Sequence, residues 1–106
     1  MFKILILGRT EENAIKQLEN YLSKLHPFDN IIKKRSKYNM NMVLLENDTL
    51  VEAVELKETT RSILGDFLII DSTINISKYW IPYPDYFARY SPLPRENRVV
   101  YFSPYE

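Results

Sequence analysis

The sequence predicts a single α/β domain, residues 1 to 106, built on a small, open, mostly parallel sheet of about four to five strands with helices on its faces. Two observations predict this class. Short continuous apolar runs, typical of strands buried on both faces, recur along the chain. Stretches with apolar residues at every third or fourth position, typical of helices packed on a sheet, separate the first three runs. Strands that alternate with helices favour parallel pairing through right-handed crossovers.

The first predicted strand is Phe2 to Leu7, and Gly8 ends it. Thr10 can cap the helix that follows through its hydroxyl, and the two glutamates after it suit the positive end of a helix. Apolar side chains then recur at helical spacing as far as Leu25. Pro27 closes this first helix, because proline cannot continue a helical hydrogen-bond ladder.

Residues 28 to 40 are compatible with either an edge strand or a short helix. A second buried strand is predicted at Met42 to Leu45. Thr49 and Glu52 have the spacing of a capping box, in which each side chain bonds the other's backbone at the start of a helix. The sequence therefore predicts a second helix from Thr49 to about Leu64.

The second half of the chain contains two further predicted strands. Phe67 to Ile70 is an apolar run that ends at Asp71, and Arg98 to Phe102 is the last run. Residues 73 to 97, rich in aromatic residues and proline, must form the crossover between them. Pro84 can begin a short helix within this crossover, because proline is favoured in the first turn.

Composition excludes several classes of function. The net charge is zero, with 14 basic and 14 acidic residues, so the basic excess of a dedicated duplex-DNA binder is absent. The chain has no cysteine and one histidine, which leaves no thiol nucleophile, no disulfide and no histidine pair for a metal. We expect no cofactor, no metal and no membrane span, and the reducing cytoplasm as the compartment. The bias towards Ile, Asn, Lys and Tyr is typical of low-GC bacteria and their phages.

The strongest functional signal is the aromatic density of the last 28 residues, which hold nine of the 14 aromatic residues and five of the six prolines. Tyrosine and tryptophan dominate recognition surfaces because they bring large, stiff contact areas. Two other interpretations stay open: these rings fill the core, and the prolines stiffen the crossover. We expect a protein-binding surface made of Tyr79, Trp80, Tyr83, Tyr86, Phe87, Arg89 and Tyr90. Arg95 and Arg98 can add cation–π or carboxylate contacts to it.

A second candidate site lies where the predicted strands end, since ligands of open α/β sheets bind beyond the carboxyl ends of parallel strands. The residues there are Arg9, Thr10, Asp71, Ser72 and Ser103. They could bind a small ligand or a phosphoryl group. The competing interpretation is structural, because aspartate after a strand commonly caps the next turn and Gly8 to Thr10 reads as an ordinary strand-to-helix turn.

A third candidate is a basic run beside Tyr38, formed by Lys33, Lys34, Arg35 and Lys37. It could contact the phosphates of a single-stranded nucleic acid, with tyrosines stacking on the bases, or an acidic partner. Charges on an exposed edge also simply keep that edge from pairing with other strands.

Part of the chain resembles the receiver domain of response regulators. The stretch from Met42 through Ser72 is similar to the second strand, second helix and third strand of a receiver. Asp66 to Asp71 looks like the strand that ends in the phosphoacceptor aspartate, and Ser103 stands where receivers carry Ser or Thr. The resemblance implies a flavodoxin-like topology. Gly8 and Arg9 replace the acidic pair that holds Mg²⁺ in receivers, so it also implies a degenerate domain that is not phosphorylated.

Taken together, the sequence favours a non-catalytic regulatory or inhibitory protein that binds another protein through the surface from Tyr79 to Leu93. A phage or mobile-element accessory protein is the origin we expect. The alternatives are a small-ligand or phosphoryl-binding protein and a single-stranded nucleic-acid binder. A homodimer is a further alternative, because an open sheet has two edges and either could pair with a second copy.

Overall fold

The computed structural model describes residues 1–24, 32–35, 41–45, 48–58 and 63–104. Six strands and one α-helix are found in these ranges. They are β1 (Phe2–Gly8), α1 (Glu11–Lys24), β2 (Ile32–Arg35), β3 (Met42–Leu45), β4 (Thr49–Glu55), β5 (Phe67–Asp71) and β6 (Val99–Phe102). Three single 3₁₀ turns lie between β5 and β6, at Ile76–Tyr79, Tyr86–Ala88 and Arg95–Asn97. The predicted α/β class is confirmed in this form, a mixed and mostly parallel sheet.

The strands form one sheet in the order β2-β3-β4-β1-β5-β6. β4, β1, β5 and β6 run parallel to one another, whereas β3 pairs antiparallel with both β2 and β4. The carboxyl ends of the four parallel strands therefore lie at the same end of the sheet. When these four strands are counted in chain order, they lie side by side as the second (β4), the first (β1), the third (β5) and the fourth (β6).

The first strand and helix form as predicted. The N–H of Asn13 donates to the hydroxyl of Thr10 at 3.0 Å, which caps α1. α1 lies over β1 and β4. Gly8 allows this close packing, since a Cβ there would lie 2.8 Å from the backbone nitrogen of Ala14. No helix within the described ranges has both the length and the apolar character needed to cross a membrane.

The helix predicted from Thr49 is wrong, because residues 49 to 55 form β4. Thr49, Val51 and Ala53 are buried while the residues between them are partly exposed, which is the two-residue period of a strand. Each residue of β4 pairs with one of β1, from Phe2 opposite Thr49 to Gly8 opposite Glu55. Pairing along the full length of β1 overrides the local capping-box signal.

On one face of the sheet, α1 covers a continuous core. It consists of Ile4, Ile6, Ala14, Leu18, Leu22, Val43, Leu45, Val51, Ala53 and Ile69. This face matches the expected arrangement of a helix packed on a sheet.

Among the described residues, the opposite face is covered by the chain between β5 and β6 and not by a second helix, which corrects the prediction of helices on both faces. Its buried core consists of Leu5, Leu7, Leu56, Leu68, Ile70, Ile81, Phe87 and Ala88. Four prolines in this segment interrupt any longer helix, because each lacks an N–H donor. The short helix predicted from Pro84 is limited to the 3₁₀ turn Tyr86–Ala88.

Candidate functional site

Residues 72 to 98, between β5 and β6, are called the covering segment. Four aromatic and cationic contacts join side chains of this segment into one row. The Arg89 guanidinium carbon lies 5.1 Å from the centre of the Tyr90 ring and 4.2 Å from that of Tyr86. The Tyr86 ring meets the Tyr83 ring edge-to-face at 5.8 Å. The Arg95 guanidinium carbon lies 5.3 Å from the Tyr83 ring centre. We call these five residues the tyrosine–arginine row.

A buried carboxylate fixes one end of this row. Asp85 is 7% exposed, and Arg95 donates to both of its oxygens, from Nε at 3.0 Å and from Nη2 at 3.4 Å. Such two-point pairs fix the orientation of the guanidinium relative to the carboxylate. Arg98 Nη1 lies 4.0 Å from the same carboxylate. Arg89 and Tyr83 complete the lining of a surface depression of about 270 Å³ around these groups.

Arg98 supports the segment from below. Its Nε donates to the carbonyl of Leu93 at 2.8 Å and its Nη2 to the carbonyl of Ser91 at 3.0 Å. The hydroxyl of Ser91 in turn donates to the carbonyl of Asp66 at 2.6 Å, next to β5. These bonds tie the irregular chain to the sheet, so the row rests on a defined support.

Two aromatic side chains of the covering segment are largely exposed. Tyr90, at one end of the row, is 76% exposed and Trp80 is 72% exposed. Trp80 also has a left-handed backbone, with φ of 62°, at the end of the turn Ile76–Tyr79. This conformation is strained for a bulky side chain and is usually occupied by glycine or asparagine. The chain thus holds its single tryptophan in solvent at a cost in stability.

The structure distributes the predicted protein-binding residues between surface and core. Phe87 is fully buried, so its assignment to a binding surface is wrong, and it packs between the segment and the sheet. Tyr79, Tyr83, Tyr86 and Arg89 are partly buried. Sequence reasoning missed Asp85, because its pairing with Arg95 ten residues later follows no local motif.

At the strand ends, the structure brings Arg9 and Asp71 together. Arg9 Nε lies 3.4 Å from Asp71 Oδ2, and the Asp71 side chain has no solvent-exposed surface. Asp71 Oδ1 accepts bonds from the N–H of Thr73 at 2.7 Å and from its hydroxyl at 2.6 Å. Asp71 therefore caps the turn after β5, which is the structural interpretation offered by the sequence. Its Oδ2 makes no hydrogen bond of good geometry.

The other strand-end residues are spread around this pair. Thr10 uses its hydroxyl as the cap of α1. The N–H of Ser72 donates to the carbonyl of Phe102 at 2.9 Å, and Ser103 follows β6. Lys57 lies beyond β4, where the bond from its ammonium to the carboxylate of Glu55, 2.9 Å long, raises the Lys57 pKa above its ordinary value.

The position of the Arg9–Asp71 pair in the sheet is a switch point. The chain leaves β1 towards β4 over the face covered by α1, and it leaves β5 towards β6 over the opposite face. Its direction therefore reverses between β1 and β5, which is where open α/β sheets form a crevice. In this protein a closed ion pair fills that position.

The described part of the basic run lies far from the tyrosine–arginine row. Lys33, Lys34 and Arg35 belong to β2, at the outer edge of the sheet, and Lys37 lies outside the described residues. The turn Tyr86–Ala88 packs on β5, which is four strand spacings from β2, roughly 19 Å at 4.8 Å each. Tyr38 also lies outside the described residues. The sheet order separates these three charges from the tyrosine–arginine row.

No family model, no curated protein and no solved structure matches this chain.

Proposed function

We propose that this protein is a non-catalytic binding module, regulatory or inhibitory in role, that captures a partner protein through the tyrosine–arginine row and the exposed Trp80. One observation carries the proposal: tyrosine and arginine side chains contact one another in a continuous row that ends in Tyr90, which is 76% exposed. Tyrosine, tryptophan and arginine are the residues in which binding energy concentrates at interfaces.

The support beneath the row favours tight binding. Asp85 holds Arg95, and Arg98 is bonded to two carbonyls of the same segment. Side chains that are already ordered lose less conformational entropy when a partner binds. A row held in place in this way suits recognition better than a set of freely rotating side chains.

The charge of the covering segment indicates the kind of partner. Residues 72 to 98 carry four basic side chains, Lys78, Arg89, Arg95 and Arg98, against two acidic ones, Asp85 and Glu96. Asp85 is buried and partly neutralised by its pairs, so the exposed charge of the segment is positive. We propose a partner with an acidic surface, because complementary charge speeds encounter and excludes wrong partners.

The experiment begins with affinity capture from host lysate, followed by purification of the captured protein and titration. Replacing Tyr90 with Ala, and separately Arg89 with Ala, is expected to weaken the purified complex by about tenfold or more, as for residues at an interface hot spot. Lys16→Ala is the matched control, since Lys16 is exposed on α1. We expect this control to bind like the wild type.

The folded fraction of each variant is checked by circular dichroism, because lost binding has meaning only for a folded protein. If the Tyr90→Ala, Arg89→Ala and Trp80→Ala variants all bind the partner with the wild-type affinity, this surface is ruled out.

A second candidate function is binding of a small ligand at the switch point, and the reversal of chain direction at Arg9 and Asp71 is the observation that favours it. We propose that the parallel core is a degenerate receiver-like arrangement, in which Arg9 supplies a permanent positive charge beside Asp71. A thermal-shift screen with Mg²⁺, acetyl phosphate and nucleotides tests it. Because the Asp71 carboxylate is enclosed, we expect no phosphorylation of Asp71 by acetyl phosphate. A midpoint unchanged by every compound would count against the ligand site.

A further inference from the structure

One edge of the sheet has the features of an edge protected from pairing with other strands, and the other edge has the features of one open to pairing. β2 forms one edge, and three of its four residues are basic: Lys33, Lys34 and Arg35. β6 forms the other edge, and its sequence Val-Val-Tyr-Phe contains no charge and no proline. Proteins protect free edges with charges, particularly lysine, and with proline, because an unprotected edge pairs with other strands.

The hydrogen-bonding groups of β6 that face away from the sheet can be identified from its bonds to β5. The N–H of Leu68 donates to the carbonyl of Arg98 at 2.7 Å, and that of Ser72 to the carbonyl of Phe102 at 2.9 Å. Backbone groups alternate in direction along a strand. Arg98 and Phe102 thus face β5, whereas the N–H and C=O of Val99 and Tyr101 point outwards. Within the described ranges these outward groups have no backbone partner.

The side chains of β6 add apolar surface on both faces of the edge. Val100 is 45% exposed and Tyr101 is 58% exposed, and successive side chains of a strand point to opposite faces. Val100 also lines a groove beside α1, whose floor includes Phe67 and Ile69. The edge therefore offers an apolar strip on each face along with its free backbone groups.

We propose that β6 pairs with the β6 of a second copy of this chain, antiparallel and about a two-fold axis. The pairing places Val99 opposite the partner's Tyr101, and Val100 opposite the same residue of the partner subunit. Val99 and Tyr101 of each copy then each form two backbone hydrogen bonds with the partner strand, one through the N–H and one through the C=O. The sheet becomes a continuous sheet of two copies, and this surface is separate from the tyrosine–arginine row.

The absence of charge on β6 favours a second copy of this chain over another protein as its pairing partner. An uncharged strand carries no charge that would attract a charged strand of another protein. Under two-fold symmetry it can pair with an identical strand. The charged residue next to β6 is Arg98, and its guanidinium is bonded to the carbonyls of Ser91 and Leu93 within its own chain. The net charge of the chain is zero, so two copies do not repel each other at long range.

The test is sedimentation equilibrium of the full chain over a concentration series. The wild type is expected to approach twice its 12.6 kDa mass at high concentration. Because the strand is short, we expect a dissociation constant on the order of micromolar, typical of small interfaces. Val100→Lys is expected to weaken the dimer by about tenfold or more, since it places two like charges opposite each other.

Tyr101→Pro is the second variant. It removes one outward N–H while leaving the bonds to β5 intact, so it is also expected to give a monomer. Tyr90→Lys is the matched control, because it adds the same charge to an exposed residue away from β6. We expect this control to remain dimeric but to lose the partner protein, which separates failure of the dimer from failure of the proposed function.

Two results would overturn the dimer. One is a wild type that stays monomeric throughout the series; if the β6 variants then also lose the captured partner protein, another protein occupies this edge. The other is a dimer that both β6 variants leave unchanged while circular dichroism shows them folded.

Discussion

Replacing Phe87 with Ala is expected to lower the free energy of unfolding by about 3–5 kcal/mol, the range measured for truncation of large buried aromatic side chains. Phe87 is fully buried and packs with Leu5, Leu7 and Leu68 of the sheet. Its loss leaves a cavity under the irregular segment, which has no regular helix to close over it. Urea unfolding followed by circular dichroism measures the change.

Tyr90→Ala is the control for this prediction, since it removes an aromatic ring three residues away that is 76% exposed. Its effect is expected to stay within about 0.5 kcal/mol, as for most surface substitutions. A Phe87→Ala variant as stable as the wild type would mean that the covering segment does not form part of the core.

Replacing Trp80 with Gly is expected to give a protein more stable than replacing it with Ala, by about 1 kcal/mol. Both changes remove the same exposed ring, but only glycine occupies the left-handed region without a Cβ clash. The difference between the two variants therefore isolates the backbone strain at φ of 62°. Part of the gain is offset because glycine has more conformational freedom in the unfolded state.

Chemical denaturation of the wild type and both variants measures this difference. We expect Trp80→Gly to bind the partner protein as poorly as Trp80→Ala, despite its greater stability. Equal stability of the two variants, or an alanine variant above the glycine variant, would contradict this prediction, because the strain at position 80 would then not exceed the entropic cost of glycine.

Most of the fold could be predicted from local patterns. β1, α1, β3, β5 and β6 form close to the predicted bounds, because continuous apolar runs and a helical period are strong local signals. β4 could not be predicted in this way. Its residues from Leu50 to Val54 are compatible with both a helical and an alternating period, and pairing with the distant β1 decides between them.

The candidate site was predictable only in part. The aromatic density drew attention to the segment that holds the tyrosine–arginine row, but it could not tell the buried Phe87 from the exposed Tyr90, because the segment has no regular period. The meeting of Arg9 and Asp71 followed from the parallel sheet, since the two residues stand at the carboxyl ends of neighbouring strands. The pairing of Asp85 with Arg95 depends on the path of an irregular loop, which sequence patterns do not specify.

The irregular layer over the second face has a consequence for how this protein can change through evolution. Its surface positions are held by a few anchors, namely Phe87 in the core and the bonds from Arg98 and Ser91. The remaining surface residues of that layer obey neither a helical nor a strand period, so each can be substituted without breaking a repeating pattern. Recognition can therefore diversify rapidly on one face while α1 and the sheet stay constant, much as loops diversify on a conserved scaffold.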